Sequence, residues 1–142
     1  MKILIVDDNS LSRKLIRNEL AKIQDVEILE AATAMEGIQK ARSEIPDLIT
    51  MDLLLPDVDG IEATSRIRKH LDLANIPIVI ITSKTDETLS KRAFEVGAVE
   101  YFIKPFSPGS LRQYIENYFM VEKDWRNLNN LVAERKPALR TT

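Results

Sequence analysis

The stretch Ile49-Thr50-Met51-Asp52-Leu53-Leu54-Leu55-Pro56-Asp57-Val58-Asp59-Gly60 decides the fold. An apolar run ends abruptly at Asp52, and a Pro-Asp-x-Asp-Gly turn follows it. Such a run is typical of a buried strand, and Asp59 can cap a helix that starts after the turn. A carboxylate at the tip of a buried strand is either a structural cap or a reactive group, and we expect Asp52 to be reactive.

Short apolar runs alternate with longer segments of helical period over the first 120 residues. We predict strands at 3–6, 26–31, 47–51, 78–82 and 100–103. Five βα units in series favour a single doubly wound α/β domain, with right-handed crossovers and helices on both faces of a parallel sheet. The second and fifth strands are the more polar and suit the edges, which predicts the order 2-1-3-4-5.

The helices between these strands have apolar faces that we expect to turn inward. The expected inward residues are Leu11, Leu15, Ile16, Leu20, Ile23, Met35, Ile38, Ala41, Leu89, Ala93, Phe94 and Val96. Ser107 followed by Pro108 predicts the N-cap and first turn of the last helix.

Polar residues follow four of the strands at their C-terminal ends. The first strand ends in Asp7-Asp8, the third in Asp52, the fourth in Thr82-Ser83 and the fifth in Lys104-Pro105. A doubly wound sheet places its site beyond the strand ends where the strand order reverses, here between the first and third strands. We therefore expect these residues to be neighbours in space.

Three carboxylates in one crevice repel one another. Two unit charges about 4 Å apart cost about 4 kcal/mol at an effective dielectric constant of about 20. A divalent cation removes that cost, and carboxylates with a backbone carbonyl and water suit Mg²⁺. Lys104 adds a positive charge and Thr82 a hydroxyl donor, so the set suits a phosphoryl group that arrives beside Asp52.

Composition narrows the function classes. The chain has 142 residues, 44% hydrophobic and 30% charged, with a net charge of −2, which fits one soluble globular domain without a nucleic-acid partner. The absence of cysteine excludes disulfides and thiolate metal sites, and one histidine, His70, excludes a poly-histidine site. No apolar run suits a signal peptide or membrane span, so we expect a cytoplasmic protein with no membrane partner.

These strand-end residues resemble a known family, the receiver domain of two-component response regulators. The matching motifs are Asp7-Asp8, Asp52-x-x-x-Pro56-x-x-Asp59-Gly60, Thr82-Ser83 and Lys104-Pro105-Phe106. The resemblance covers about residues 1–120 and is to the stand-alone, chemotaxis-regulator-like type. It implies a flavodoxin-like fold, and the chemotaxis member of the family is itself a standard example of the strand order 2-1-3-4-5.

The resemblance implies a role for each site residue. Asp52 would accept a phosphoryl group from a phosphohistidine on a sensor histidine kinase or a histidine phosphotransfer protein. The implied Mg²⁺ ligands are Asp7, Asp8, Asp52 and the backbone carbonyl of Leu54, and the implied phosphoryl-binding residues are Thr82, Ser83 and Lys104. The protein would be a phosphoacceptor that assists its own phosphorylation and dephosphorylation, not an enzyme.

A conformational switch is also implied. Thr82 would swing its hydroxyl toward the phosphate and Tyr101 would turn inward, which remodels the face of the fourth helix, fifth strand and fifth helix for a downstream protein target. The peptide bond before Pro105 would be cis. Leu54 and Lys84 stand where the family tunes phosphate lifetime, and Leu54 cannot orient a water, so we expect a comparatively long-lived phosphorylated state.

Residues 121–142 extend beyond the expected receiver domain at 1–120. A 4-3-4-3-4 spacing typical of a heptad seam joins Tyr114, Tyr118, Val121, Trp125, Leu128 and Val132. Pro137 predicts that the helix ends near residue 136. Three interpretations stay open: a homodimer through the extended fifth helix, a segment folded back on its own domain, or a linker to an output module of a longer regulator.

Other functions compete with a terminal regulator. A phosphorelay intermediate would pass its phosphate to a histidine phosphotransfer protein. An aspartyl-phosphate phosphatase of the haloacid dehalogenase kind would need an acid two residues after the nucleophile, where this chain has Leu54. A nucleotide-binding protein is disfavoured because neither phosphate-binding glycine motif occurs. A flavodoxin-like electron carrier would need hydroxyl groups at the positions of Asp7 and Asp8.

In the turn after Asp52, we expect Asp57 to be solvated and Asp59 to cap a helix.

Overall fold

The computed structural model describes residues 1–140, and beyond residue 121 it describes the side chains of 123 and 125–131. In chain order the elements are β1 (Lys2–Val6), α1 (Ser10–Leu20), β2 (Glu27–Ala31), α2 (Ala34–Glu44), β3 (Leu48–Met51), α3 (Gly60–Arg68), a 3-10 turn (Leu71–Leu73), β4 (Ile78–Thr82), α4 (Glu87–Glu95), β5 (Glu100–Ile103) and α5 (Ser110–Arg140). Within the described part of the chain, no helix is both long enough and apolar enough to cross a membrane.

The five strands form one parallel sheet in the order β2-β1-β3-β4-β5, which confirms the predicted doubly wound class and strand order. Val6 pairs with Met51 in register, and Met51 pairs with Ile80. Because these paired residues are at or near the ends of their strands, the residues that follow β1, β3 and β4 leave the sheet at the same edge. This register brings the candidate site together.

Apolar residues from alternate positions of the strands fill two core layers. Ile3 and Ile5 of β1 face α1 and α5, and Leu4 and Val6 face α2, α3 and α4. The residues of β3 and β4 are buried throughout, whereas β2 and β5 are only partly buried, as the edge assignment predicts. Burial on both faces stabilises the central strands and fixes their ends as a rigid base.

Four residues that we expected to turn inward lie on the surface. Leu11, Leu15, Met35 and Phe94 are 64%, 60%, 53% and 46% exposed. The apolar stripe of each helix is wider than the part that the sheet covers. On α1 the buried residues include Ile16, and Leu15 lies about 100° around the helix from it.

The last helix begins later than the sequence predicts. Ser107 does not cap it, because Ser107, Pro108 and Gly109 precede the helix and α5 starts at Ser110. Gly109 has a φ of 82°, a conformation that favours glycine. The backbone carbonyl of Ser107 accepts a hydrogen bond from the Ser110 N–H at 3.1 Å, so the turn closes through the backbone rather than through the Ser107 hydroxyl.

The helix α5 continues without a break beyond the sheet. It runs to Arg140, past the end expected near residue 136, because an interior proline can kink a helix without ending it. Val121, Trp125 and Leu128 of the predicted seam are 67%, 59% and 54% exposed, so the helix is not folded back to bury them. The side chains of Val132 and Pro137 lie outside the described residues.

Candidate functional site

Three acidic side chains meet at the C-terminal edge of the sheet. Asp7 and Asp8 follow β1 and Asp52 follows β3, and one carboxylate oxygen of each lies within 4.8 Å of the others. Asp7 and Asp52 are buried, whereas Asp8 is exposed. An all-oxygen cluster with one solvent-facing member is a site that a hard divalent cation can reach and fill. This grouping was predicted from the strand ends.

The carboxylate of Asp7 is held by three donors. Its Oδ1 accepts the backbone N–H of Asn9 at 2.9 Å, and its Oδ2 accepts the Ser12 hydroxyl at 2.6 Å and the Lys104 ammonium at 2.7 Å. The guanidinium of Arg13 donates to the backbone carbonyl of Asp7 at 2.7 Å. These bonds fix both the side chain and the main chain of Asp7.

Lys104 joins two of the carboxylates. Its Nζ lies 2.7 Å from Oδ2 of Asp7 and 2.9 Å from Oδ2 of Asp52. Burial alone would lower the pKa of the Lys104 ammonium, but hydrogen bonds and charges from Asp7 and Asp52 outweigh burial and raise that pKa above its ordinary value of 10.5. Lys104 therefore stays charged at neutral pH and partly offsets the repulsion between the acids.

The turn after Asp52 is tightly closed. The N–H of Leu54 donates to Oδ1 of Asp52 at 3.1 Å, and the N–H of Gly60 donates to the carbonyl of Leu53 at 3.1 Å. A β-carbon at Gly60 would lie 2.1 Å from the carbonyl oxygen of Asp52, so only glycine allows this approach. Asp59 accepts the Glu62 N–H at 2.9 Å, which confirms it as the N-cap of α3.

Asp57 is exposed to solvent, as expected, but its carboxylate also accepts two backbone hydrogen bonds. Its Oδ1 accepts the Ala34 N–H and its Oδ2 the Met35 N–H, each at 2.9 Å. These donors belong to the first turn of α2. The bonds, first that from Met35 and then that from Ala34, lower the pKa of the Asp57 carboxyl below its ordinary value of 3.8.

The ends of β4 and β5 complete the site. Thr82 is fully buried, and its hydroxyl oxygen accepts the Lys84 N–H at 3.4 Å. The Tyr101 hydroxyl donates to the backbone carbonyl of Lys84 at 2.9 Å, and the Lys104–Pro105 peptide bond is cis, as expected. Burial raises the pKa of the Tyr101 phenol, so it remains a hydrogen-bond donor at neutral pH.

An open groove of about 880 Å³ leads to the acids. Asp8, Asp52, Leu54, Ser83 and Lys104 line its end at the site, and α1 and the segment after β5 form its walls. The exposed Leu11 and Leu15 line the α1 wall, so the apolar residues that we had expected in the core face the groove instead. The groove gives a reactant access to Asp52, which is otherwise 6% exposed.

Three contributors to the site were missed from the sequence. Ser12 and Arg13 hold Asp7, and Asp57 holds the turn after Asp52. Ser12 and Arg13 lie one turn into α1, close enough to reach back to Asp7, and that spacing was a usable signal. Asp57 and its partners on α2 are 22 and 23 residues apart in the chain, and no local pattern links them.

The fold and the acidic crevice define a doubly wound α/β protein with a candidate cation site, and comparison with known families identifies it. The model of the response regulator receiver domain matches residues 3–116. The chain therefore belongs to the receiver domain family of two-component response regulators, as its motifs predicted.

Individual relatives are similar over most of this chain. The response regulator protein VraR of Staphylococcus saprophyticus is 35% identical over 84% of this chain and 56% of VraR. The sensor histidine kinase CheAY of Helicobacter pylori is 32% identical over 86% of this chain and 15% of that protein. The crystal structure of a CheY-like receiver domain protein from Methanospirillum hungatei has a TM-score of 0.79 and 28% identity, covering 87% of this chain and 96% of that chain. The chain thus spans less than two thirds of either VraR or CheAY.

Proposed function

We propose that this receiver domain accepts a phosphoryl group on Asp52 from a phosphohistidine and then changes a protein-binding face. The observation that carries the proposal is the position of Asp52. Its carboxylate ends a buried strand, opens to a groove, and lies 2.9 Å from a lysine that stays charged. A carboxylate nucleophile needs access for its reactant and a positive group for the oxygens of the transferred phosphoryl group.

The transfer step balances with the groups at hand. A carboxylate oxygen of Asp52 attacks the phosphorus, and a P–O bond forms as the P–N bond to the donor histidine breaks. The electron pair of the broken bond returns to the imidazole nitrogen, which regains a proton from solvent. Lys104 contacts a phosphoryl oxygen, and Thr82 and Ser83 supply hydroxyls at the neighbouring strand end. The donor is a sensor histidine kinase or a histidine phosphotransfer protein.

Mg²⁺ fits the oxygen donors of this site. Asp7, Asp8, Asp52 and the backbone carbonyl of Leu54 would hold it, and the described residues offer only oxygen at the acidic cluster. When bound, the ion supplies positive charge that offsets the charge of the acids and of the phosphoryl oxygens. Lys104 alone balances two of the three carboxylates by direct contact, so the crevice retains an excess of negative charge.

The output depends on Thr82 and Tyr101. Thr82 turns its hydroxyl toward the phosphoryl group, which opens space beside β4, and Tyr101 leaves the Lys84 carbonyl to fill it. This movement remodels the surface of α4, β5 and α5, to which a downstream protein binds. Leu54 offers no group to orient a hydrolytic water, and with Lys84 it favours a long-lived phosphorylated state.

The domain works as a cytoplasmic signalling component rather than as an enzyme. A role as an intermediate that returns its phosphate to a histidine phosphotransfer protein uses the same residues. An aspartyl-phosphate phosphatase is disfavoured, because Leu54 stands where that chemistry needs a second acid.

A second copy of this chain is the partner we propose for the exposed seam of α5. The seam residues Val121, Trp125 and Leu128 are all more than half exposed and repeat with the heptad period that matches one helix to another. Two-fold symmetry places the same seam on both partners, which makes it self-complementary. Pairing of this kind buries Trp125, and that burial changes its fluorescence.

One experiment tests the phosphoacceptor assignment. The protein is incubated with Mg²⁺ and acetyl phosphate, and intact mass is compared between wild type and Asp52→Asn. We expect one phosphoryl adduct on wild type and none on the variant, and parallel samples with beryllium fluoride should show Asp52-dependent binding. An adduct of equal yield on Asp52→Asn, or no adduct on wild type, would overturn the proposal.

A further inference from the structure

The loop between β3 and α3, residues 53–59, is fastened at three places. Its base closes through the Gly60 N–H and the Leu53 carbonyl, and its C-terminal end is tied to α3 by Asp59. The third fastening is Asp57, which reaches sideways to α2. Among the described residues, no other member of the loop forms a hydrogen bond with α2. Asp57 is thus the polar tether between this loop and the neighbouring helix.

The first turn of α2 depends on Asp57 for half of its donors. A helix leaves its first four N–H groups without partners inside the helix. In α2 these are the N–H groups of residues 33–36, and that of Glu36 donates to the Thr33 hydroxyl at 3.1 Å. The Gly37 N–H makes the first regular helical bond, to the Thr33 carbonyl at 3.0 Å. Two of the four, those of Ala34 and Met35, both donate to Asp57.

Charge makes this tether stronger than a neutral contact. The N-terminus of a helix carries a partial positive charge, which favours a carboxylate over a neutral acceptor. Each oxygen of Asp57 accepts one N–H at 2.9 Å, so the carboxylate is oriented as well as held. Because both carboxylate oxygens are fixed, the Asp57 backbone is restrained as well, and with it the neighbouring residues of the loop.

Few other polar contacts hold the middle of the loop. Leu55 and Val58 are partly buried against the core, but Leu54 between Asp52 and them is 48% exposed. The Leu54 N–H donates to Oδ1 of Asp52, and beyond that bond the position of the Leu54 carbonyl rests on the ends of the loop and on Asp57. This carbonyl is one of the oxygens that we assign to the cation.

We propose that Asp57 is a positioning residue for the Asp52 site, because its tether to α2 fixes the loop that presents the Leu54 carbonyl beside Asp52. The inference rests on the proposed cation site. Asp57 touches neither the cation nor the phosphoryl group and acts through the backbone of the loop. Groups that orient metal ligands from outside typically change metal affinity about 10- to 100-fold when they are removed.

Thr33 provides a matched control. Asp57→Ala and Thr33→Ala each remove hydrogen bonds from the first turn of α2, but only the former releases the loop. Mg²⁺ affinity is measured by isothermal titration calorimetry for both variants and wild type. We expect Asp57→Ala to weaken Mg²⁺ binding about tenfold and Thr33→Ala to retain wild-type affinity. Equal affinities of all three, or equal losses in both variants, would overturn the proposal.

Two more measurements separate positioning from general stability. Asp57→Asn keeps one acceptor oxygen, and we expect its Mg²⁺ affinity to lie between those of wild type and Asp57→Ala. Amide hydrogen exchange of wild type should show protection at Ala34 and Met35, lost in Asp57→Ala and kept in Thr33→Ala. Unprotected Ala34 and Met35 amides in wild type would refute the tether. A wild type that binds Mg²⁺ but gains no phosphoryl adduct would refute the proposed function and leave this comparison valid.

Discussion

The ammonium nitrogen of Lys104 lies 2.9 Å from Oδ2 of Asp52, although β4 lies between the strands that carry them. The same nitrogen lies 2.7 Å from Oδ2 of Asp7, so one ammonium group contacts two carboxylates. The site is therefore organised around an internal positive charge, and under the proposed function the same charge would contact the phosphoryl group.

Replacement of Lys104 by methionine should destabilise the metal-free protein. Lys104→Met keeps an unbranched side chain but leaves Asp7 and Asp52 without their shared partner. We expect the free energy of unfolding to fall by about 1.5–3 kcal/mol, the contribution of a hydrogen bond to a charged group. Urea denaturation in EDTA measures this loss, and Mg²⁺ should restore more stability to the variant than to wild type. A variant as stable as wild type in EDTA would contradict the assignment.

Substitution of Gly60 by alanine should distort the turn after Asp52. The new β-carbon would meet the Asp52 carbonyl at 2.1 Å, and main-chain atoms on both sides would have to move. Overpacking of this kind typically costs about 1–3 kcal/mol, and Gly60→Ala should also weaken beryllium fluoride binding. Gly37→Ala is the control, because its β-carbon would meet the side chain of Val6 rather than backbone. Equal effects of the two substitutions would contradict the close approach at Gly60.

The tether at Asp57 predicts a particular pH dependence. The N–H groups of Met35 and Ala34 lower the pKa of Asp57 below 3.8, so its ionised form stabilises the folded state. That stabilisation is complete at pH above 3.8 and is lost as pH falls through the lower pKa of the folded protein. The stability difference between wild type and Asp57→Asn should therefore shrink only in strong acid, as chemical denaturation across pH can measure. A difference that shrinks near neutral pH would point to another group.

The seam on α5 predicts a concentration-dependent dimer. Val121→Ser should shift sedimentation toward the monomer, because Val121 is a seam residue and 67% exposed in one chain. Met120→Ser is the matched control, since Met120 is 62% exposed but lies off the seam. Wild type that sediments as a monomer at high concentration, or equal effects of the two variants, would eliminate the dimer.

The lifetime of the phosphorylated state should depend on Leu54. Leu54→Asn places an amide beside the access groove, where it can orient a water toward the phosphoryl group. We expect faster loss of phosphate at the same Mg²⁺ concentration, followed by mass or by radiolabel. Leu54→Met, which adds no polar group, serves as the control. A phosphate half-life in Leu54→Asn equal to that of Leu54→Met would contradict the proposed role.

The strand-end residues were predictable because parallel topology converts sequence order into position. Asp7, Asp52 and Lys104 each follow an apolar run, and a doubly wound sheet can bring the ends of such runs together at only one edge. The central strands were also predictable from the sequence, because a strand that is buried on both faces is a continuous apolar run. For these elements local pattern and global fold carry the same information.

Contacts between non-adjacent surfaces were not predictable. Leu15 has the hydrophobicity of a core residue, but helix periodicity does not tell how much of a helix the sheet covers. Asp57 resembles an ordinary turn residue, and only the folded chain shows that the start of α2 lies within its reach. Both errors have one cause: the sequence of one element does not show how the neighbouring elements pack beside it.

The length of α5 gives this domain a mechanical property. A helix of 31 residues is about 46 Å long, and its base lies against the sheet through the buried Leu111 and Ile115. By geometry alone, a rotation of about 5° at that base displaces the far end by roughly 4 Å. A small rotation of α5 at the sheet is thus converted into a displacement of several ångströms at the far end of the helix, where another molecule can bind.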